Sequence, residues 1–231
     1  QAKVDVRAMD RETALRLLRG RIAPGTFMRT VLEALDIGQL VLHLPPVIDM
    51  TEDQFFEFCQ ANHDLRLERT SSGDIVVMPP EGGGSGYRGL RLGVQLDIWA
   101  RRDRTGVAFG SSAGFTLPNG AVRSPDVSWV RKERLRSLSR EQKEKFLPLC
   151  PDFVVEVRSP SDRLADLREK MSEYMENGAR LGWLLDPQAR EAYVYRSGAR
   201  VQRVRNPGNL AADPELPGFV LDLATIWELA F

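Results

Sequence analysis

The sequence is short of the residues that most often announce a site. It holds two cysteines and two histidines in 231 residues, and Cys59, Cys150, His43 and His63 do not fall into the paired spacing of a zinc site. A reduced, cytoplasmic protein is the expectation. Charge of one sign is lacking too: 32 basic and 32 acidic side chains cancel, so no global positive field draws the chain to nucleic acid. Any such binding must use a local patch. No apolar run approaches the roughly 20 residues of a membrane helix, and the N-terminus lacks the shape of a signal peptide, so no membrane partner is expected. Internal repeats and low-complexity tracts are absent. What remains is a globular composition in a chain long enough to bury a good core.

Residues 1–50 read as an N-terminal helical accessory segment. DRETALRLLRGR and TFMRTVLEALD have helical composition, with APG between them and LPP after them. The main body, residues 51–231, starts with TEDQFFEFCQAN, where Thr51 and Gln54 form a capping box ahead of Phe55, Phe56, Phe58 and Cys59. LRLERT and IVVMP around SSGD predict a hairpin, with Leu65 and Leu67 on one face and Arg66 and Glu68 on the other. After the loop PPEGGGSG, Leu92, Leu96 and Trp99 recur at helical intervals. GVAFGS and GFTLPNGAVRSPDVSWV read as strands, and a charged connector over 131–145 leads to the strand PDFVVEVR. Leu164, Leu167, Met171, Tyr174 and Met175 then make a helical stripe that Gly178 stops, ahead of three strands in LGWLLDP, EAYVYRS and ARVQRV. The pattern predicts an α/β or α+β fold, a mixed central sheet flanked by helices.

The chemistry concentrates in and around PDFVVEVR. Alternation puts Phe153, Val155 and Val157 on one face of this strand and Val154, Glu156 and Arg158 on the other. A carboxylate in such a strand is costly to bury unless a cation, a metal or hydrogen bonds compensate it. In the preceding strand, RSPDVSWV, Asp126 follows Pro125 directly. If the two strands pair, Asp126 and Glu156 can converge on one hard divalent cation, magnesium or manganese, which removes their mutual repulsion. Lys170 borders the apolar stripe of the following helix, where its stem can run along the sheet and bring its ammonium to the strand end. Two metal-holding carboxylates beside a lysine suit phosphodiester hydrolysis.

SPDVSWV, PDFVVEVRSPSDR and DLREKMSEYMENGARLGWLLDP together resemble the Uma-two family of restriction endonucleases, within the PD-(D/E)XK nuclease superfamily. The likeness extends upstream through DLRLERTSSGDIVVMPPEGG and downstream to LPGFVLDLATIWE. It implies a restriction-endonuclease-like fold, a magnesium-type cofactor, cleavage of DNA and, for cutting both strands, a homodimer. Asp126 matches the family's first metal-binding acid, Glu156 its second, and Lys170 a lysine displaced from the strand onto the next helix. Glu68 matches an upstream acid. Arg158 departs from the superfamily pattern, since it stands where the (D/E)xK tripeptide carries lysine.

Each residue also has a plainer reading. Asp126 suits a turn at a strand entrance, Glu156 and Arg158 suit a same-face ion pair, and Lys170 and Glu68 suit exposed surface charges. A nuclease-fold module that binds nucleic acid or protein without catalysis is therefore the alternative. Gly84, Gly86 and Gly89 keep a GxGxxG spacing, but Pro79 and Pro80 lengthen the turn and the next strand lacks the acid that holds a ribose, so the loop reads as a mobile connector. The four tryptophans, Trp99, Trp129, Trp183 and Trp227, are expected in the core.

Overall fold

The computed structural model describes residues 40–231 apart from Pro79. The expected helices of DRETALRLLRGR and TFMRTVLEALD lie outside the described residues. In chain order the elements are β1 (Leu40–Leu42), α1 (Glu52–Ala61), β2 (Arg66–Arg69), β3 (Ile75–Met78), α2 (Gly83–Asp103), β4 (Gly106–Gly110), β5 (Phe115–Thr116), β6 (Val122–Arg123) and β7 (Val127–Arg131). They continue with α3 (Lys132–Arg136), α4 (Arg140–Glu144), β8 (Phe153–Val157), α5 (Leu164–Glu176), β9 (Leu181–Asp186) and β10 (Glu191–Arg196). The chain closes with β11 (Gln202–Arg205), β12 (Asn209–Ala211), β13 (Val220–Asp222) and α6 (Ala224–Trp227).

The chain divides into two compact units, one holding residues 40–80 with Asn119–Arg123, the other Glu81–Pro118 with Ser124–Phe231. In the first, β1, β3, β2 and β6 pair in that order, all antiparallel. The SSGD turn joins β2 to β3 as its composition predicts, and Thr51 and Gln54 close the capping box of α1. Arg69, 6% exposed, donates to the carbonyl oxygens of Met50 and Gly120 at 2.9 and 3.0 Å and lies over the Phe55 ring, which fixes the entry to α1. A buried guanidinium is tolerated here because its N–H groups find acceptors.

The second unit is built on a six-stranded sheet in the order β11-β10-β9-β8-β7-β4. Only β8 and β9 run parallel, the two being joined through α5, so the sheet is mixed as expected. Alternation sends Val127, Trp129, Phe153, Val155, Trp183 and Leu185 to one face, where Leu92, Leu96 and Ala100 of α2 cover them. Trp183 stacks on Phe219 with ring centroids 5.8 Å apart; Trp129, Trp183 and Trp227 are core residues, while Trp99 is half-buried and packs on Trp129 at the core's border. On the opposite face α5 lies against β8 and β9. Gly182 permits this approach: a Cβ there would meet Met171 Cε at 2.5 Å and Val154 Cγ2 at 3.4 Å. Gly178, at φ +104°, ends the α5 segment as its place in the sequence predicts.

Two features differ from the sequence expectation. The glycine loop is shorter than its composition suggests, because Gly83, Gly84, Gly86 and Gly89 already belong to α2. A dinucleotide fingerprint needs such glycines in a strand-to-helix turn, so that reading has no backbone to stand on. The β12–β13 hairpin and α6 escape the sequence pattern, since three-residue strands and a four-residue helix carry too few residues for a period to show. The charged connector forms α3 and α4, neither of which buries a residue.

Candidate active site

Strand register brings two carboxylates to the same end of one strand pair. Val127, Ser128 and Trp129 of β7 pair with Val155, Val154 and Phe153 of β8. Asp126 precedes β7 directly and Glu156 is the first residue of β8 past this pairing, so the two acids stand at the same end of the ladder. The backbone N–H of Val157 donates to Asp126 Oδ2 at 2.8 Å. Asp126 thus holds the end of β8 with its side chain where the backbone ladder has stopped.

Glu156 is 4% exposed, and its burial is compensated from α5. Lys170 and Tyr174 stand one turn apart on the same face of that helix, and both reach Glu156 Oε1: the Lys170 ammonium at 2.9 Å and the Tyr174 hydroxyl, donating, at 3.0 Å. The Lys170 Nζ also lies 6.0 Å from the centre of the Tyr174 ring. A strand that otherwise carries apolar side chains accepts an ionised group here because a charged donor and a buried hydroxyl replace its water. Lys170 of α5 thus meets Glu156 of β8, and Asp126, one residue before β7, reaches the backbone N–H of Val157, next to Glu156.

Glu68 and Arg158 each have a partner of their own. Glu68 belongs to the first unit, where it is 1% exposed rather than a surface hairpin charge and accepts from Arg123 Nη1 at 3.2 Å. Simple alternation fails on β2 because both of its faces are covered: the successive residues Leu67, Glu68 and Arg69 are all buried. Arg158 makes no same-face pair with Glu156; its Nη1 donates to Asp186 Oδ2 at 2.7 Å. The partners that sequence reading passed over are Tyr174, Asp186 and Arg123. Tyr174 had a usable signal, being a hydroxyl-bearing residue four positions after Lys170 in the apolar stripe.

Among the described residues no group of three or more His, Cys, Asp and Glu side chains could hold a metal ion. The donor set at Asp126 and Glu156 nonetheless fits magnesium or manganese. Such an ion takes hard oxygen ligands, retains several waters, and is commonly held by one or two carboxylates together with substrate phosphate. The set does not fit zinc, which prefers nitrogen and sulfur donors.

A family model described as "Uma2: Putative restriction endonuclease" matches residues 52–224. Among solved structures, a "putative nuclease belonging to DUF820" from Anabaena variabilis superposes with a TM-score of 0.62 at 17% identity, over 77% of this chain and 97% of that one. The likeness places the fold with that nuclease and is too distant to carry more. No curated protein matches the chain.

Proposed function

The chain belongs to the Uma2 family, and from that membership and the geometry at the end of β8 we propose a metal-dependent endonuclease that hydrolyses phosphodiester bonds in DNA. One observation carries the reading. At the end of β8 the Lys170 ammonium from the crossover helix lies 2.9 Å from Glu156 Oε1, and the Asp126 carboxylate holds the N–H of the next residue, Val157. Asp126 and Glu156 would hold a magnesium or manganese ion, which supplies Lewis-acid stabilisation of a phosphoryl oxygen and a more acidic water. The chain's own groups do the positioning. Val157 N–H orients the Asp126 carboxylate, and the Tyr174 hydroxyl orients that of Glu156. Lys170 balances the charge of Glu156 and brings an ammonium to the place where a phosphate oxygen gains negative charge. Glu68, which answers only to the family pattern, is assigned no step. Cutting both strands of a duplex would call for a symmetric dimer.

Cleavage of DNA should require magnesium or manganese and be lost in Asp126→Ala, Glu156→Ala and Lys170→Ala while circular dichroism shows the fold retained. Unchanged cleavage in all three would sink the proposal. A second reading, a nuclease-fold module that binds without cutting, is favoured by the ion pair itself, because Lys170 already balances Glu156 without a metal. Calorimetry separates the two: manganese binding by the wild type that disappears in Asp126→Ala counts against the silent module.

A further inference from the structure

Asp186 is as deeply buried as Glu156, at 1% exposed, but has no part in the chemistry proposed above. It closes the turn from β9 to β10, accepting the N–H groups of Gln188 and Ala189 on Oδ1 at 3.1 and 3.2 Å. Its other oxygen takes Arg158 Nη1 at 2.7 Å. The same guanidinium donates through Nε to the Asp162 carbonyl oxygen at 3.2 Å, while Asp162 Oδ2 accepts the Ser159 N–H at 2.7 Å. Arg158 also gives its backbone N–H to the Leu185 carbonyl at 2.8 Å, carrying the parallel ladder one residue past β8. Immediately before it, the Val157 N–H is fixed on Asp126. The bonds of Arg158 thus tie the end of β8 and the loop into α5 to the end of β9.

The consequence falls on Lys170. The helix start at Leu164 and Lys170 are separated by six residues of α5, about 9 Å of helix axis. A helix transmits a change at its entrance almost rigidly, so the direction in which the chain leaves Arg158 decides where the Lys170 ammonium arrives. We propose that Arg158 is a positioning residue: clamped on Asp186 and on the Asp162 carbonyl, it sets the entry of α5 and thereby holds Lys170 against Glu156, without touching DNA. The arginine at the tripeptide's third place is then not a substitute for the displaced lysine but the device that makes the displaced lysine work. The catalytic half of this inference rests on the nuclease reading; the clamp itself does not.

The test pairs kinetics with a measurement that needs no substrate. Because Arg158→Ala alone would strand a buried carboxylate and could unfold the chain, the working variant is Arg158→Met with Asp186→Asn, which removes both charges and keeps an oxygen for the Gln188 and Ala189 N–H groups. With a duplex oligonucleotide and magnesium, kcat should fall roughly 10- to 100-fold, the scale of a misplacement of about 1 Å. KM should stay within about twofold and the salt dependence of binding should not change. Arg158→Lys, which still reaches Asp186, should recover much of the lost kcat. Built into Lys170→Ala, it should recover none. A raised KM or a salt slope lowered by about one phosphate contact would make Arg158 a DNA ligand, and rescue of Lys170→Ala by Arg158→Lys would make position 158 a stand-in for the displaced lysine; any of these would overturn the proposal. In the absence of DNA, hydrogen exchange of the amides from Ser159 to Leu167 should accelerate in the double variant, and unchanged protection there would remove the clamp. If the wild type cuts no DNA, the nuclease reading fails, and this exchange measurement still judges the clamp.

Discussion

Replacing Tyr174 by Phe removes one hydroxyl and leaves the ring that fills the space between α5 and β8. Tyr174 is 0% exposed, and its hydroxyl donates to Glu156 Oε1 at 3.0 Å. A hydrogen bond to an ionised group contributes about 1.5–3 kcal/mol, and no cavity larger than an oxygen atom opens. The expected loss is therefore about 2 kcal/mol, which for a chain of this size lowers Tm by about 4–8 °C. Urea denaturation should show the midpoint falling with the slope unchanged, as for a change in stability alone. The carboxylate's charge can be isolated by repeating the substitution in Glu156→Gln, where an oxygen acceptor persists without charge. There the loss should shrink to about 1 kcal/mol, because charge-assisted bonds are about twice as strong as neutral ones. A Tm shift under about 1 °C in the wild-type background, or an equal loss in both backgrounds, would show that the Glu156 carboxylate is not what the hydroxyl serves, and the account of how β8 tolerates an acid would fall with it.

Two further expectations concern pH. The Glu191 carboxyl is held below its ordinary range first by the Arg203 hydrogen bond, then by the Tyr193 hydroxyl, against the opposing effect of burial. A depressed carboxyl contributes stability above its unfolded pKa and loses it as pH falls through the folded value, so the acid limb below about pH 4.5 should flatten in Glu191→Gln; an identical acid limb would contradict this. Burial pushes the thiols of Cys59 and Cys150 from an ordinary 9.0 up to about 12. Their contribution is complete below about pH 9 and is lost between there and about 12, because the unfolded thiols ionise first. At pH 8 both should resist a disulfide reagent until denaturant is added, and rapid reaction of Cys150 in the folded protein would refute the burial argument.

The legible parts of this structure are those in which one physical signal dominated. The capping box at Thr51, the SSGD hairpin turn and the stripe of α5 are local, and each is present. Asp126 and Glu156 were legible because β-pairing of adjacent strands converts sequence order into register, and Lys170 because a lysine bordering an apolar stripe can lay its stem along the sheet and reach the strand end. The partner of Arg158 was not legible, for the complementary reason. Its partner, Asp186, arrives on β9 after a helical crossover, and alternation along β8 says nothing about a neighbour 28 residues away. Glu68 shows the same limit, since its burial depends on β6, which joins β2 from more than fifty residues downstream.

Incubation of the purified protein with single-stranded, duplex and branched DNA, with and without magnesium or manganese and beside Asp126→Ala, tests the central claim most directly. Metal-dependent cleavage of at least one of these DNAs by the wild type, absent from Asp126→Ala, is the predicted result. Cleavage that survives in Asp126→Ala, or no cleavage together with no binding of manganese by the wild type, would contradict the assignment of the Asp126–Glu156–Lys170 site.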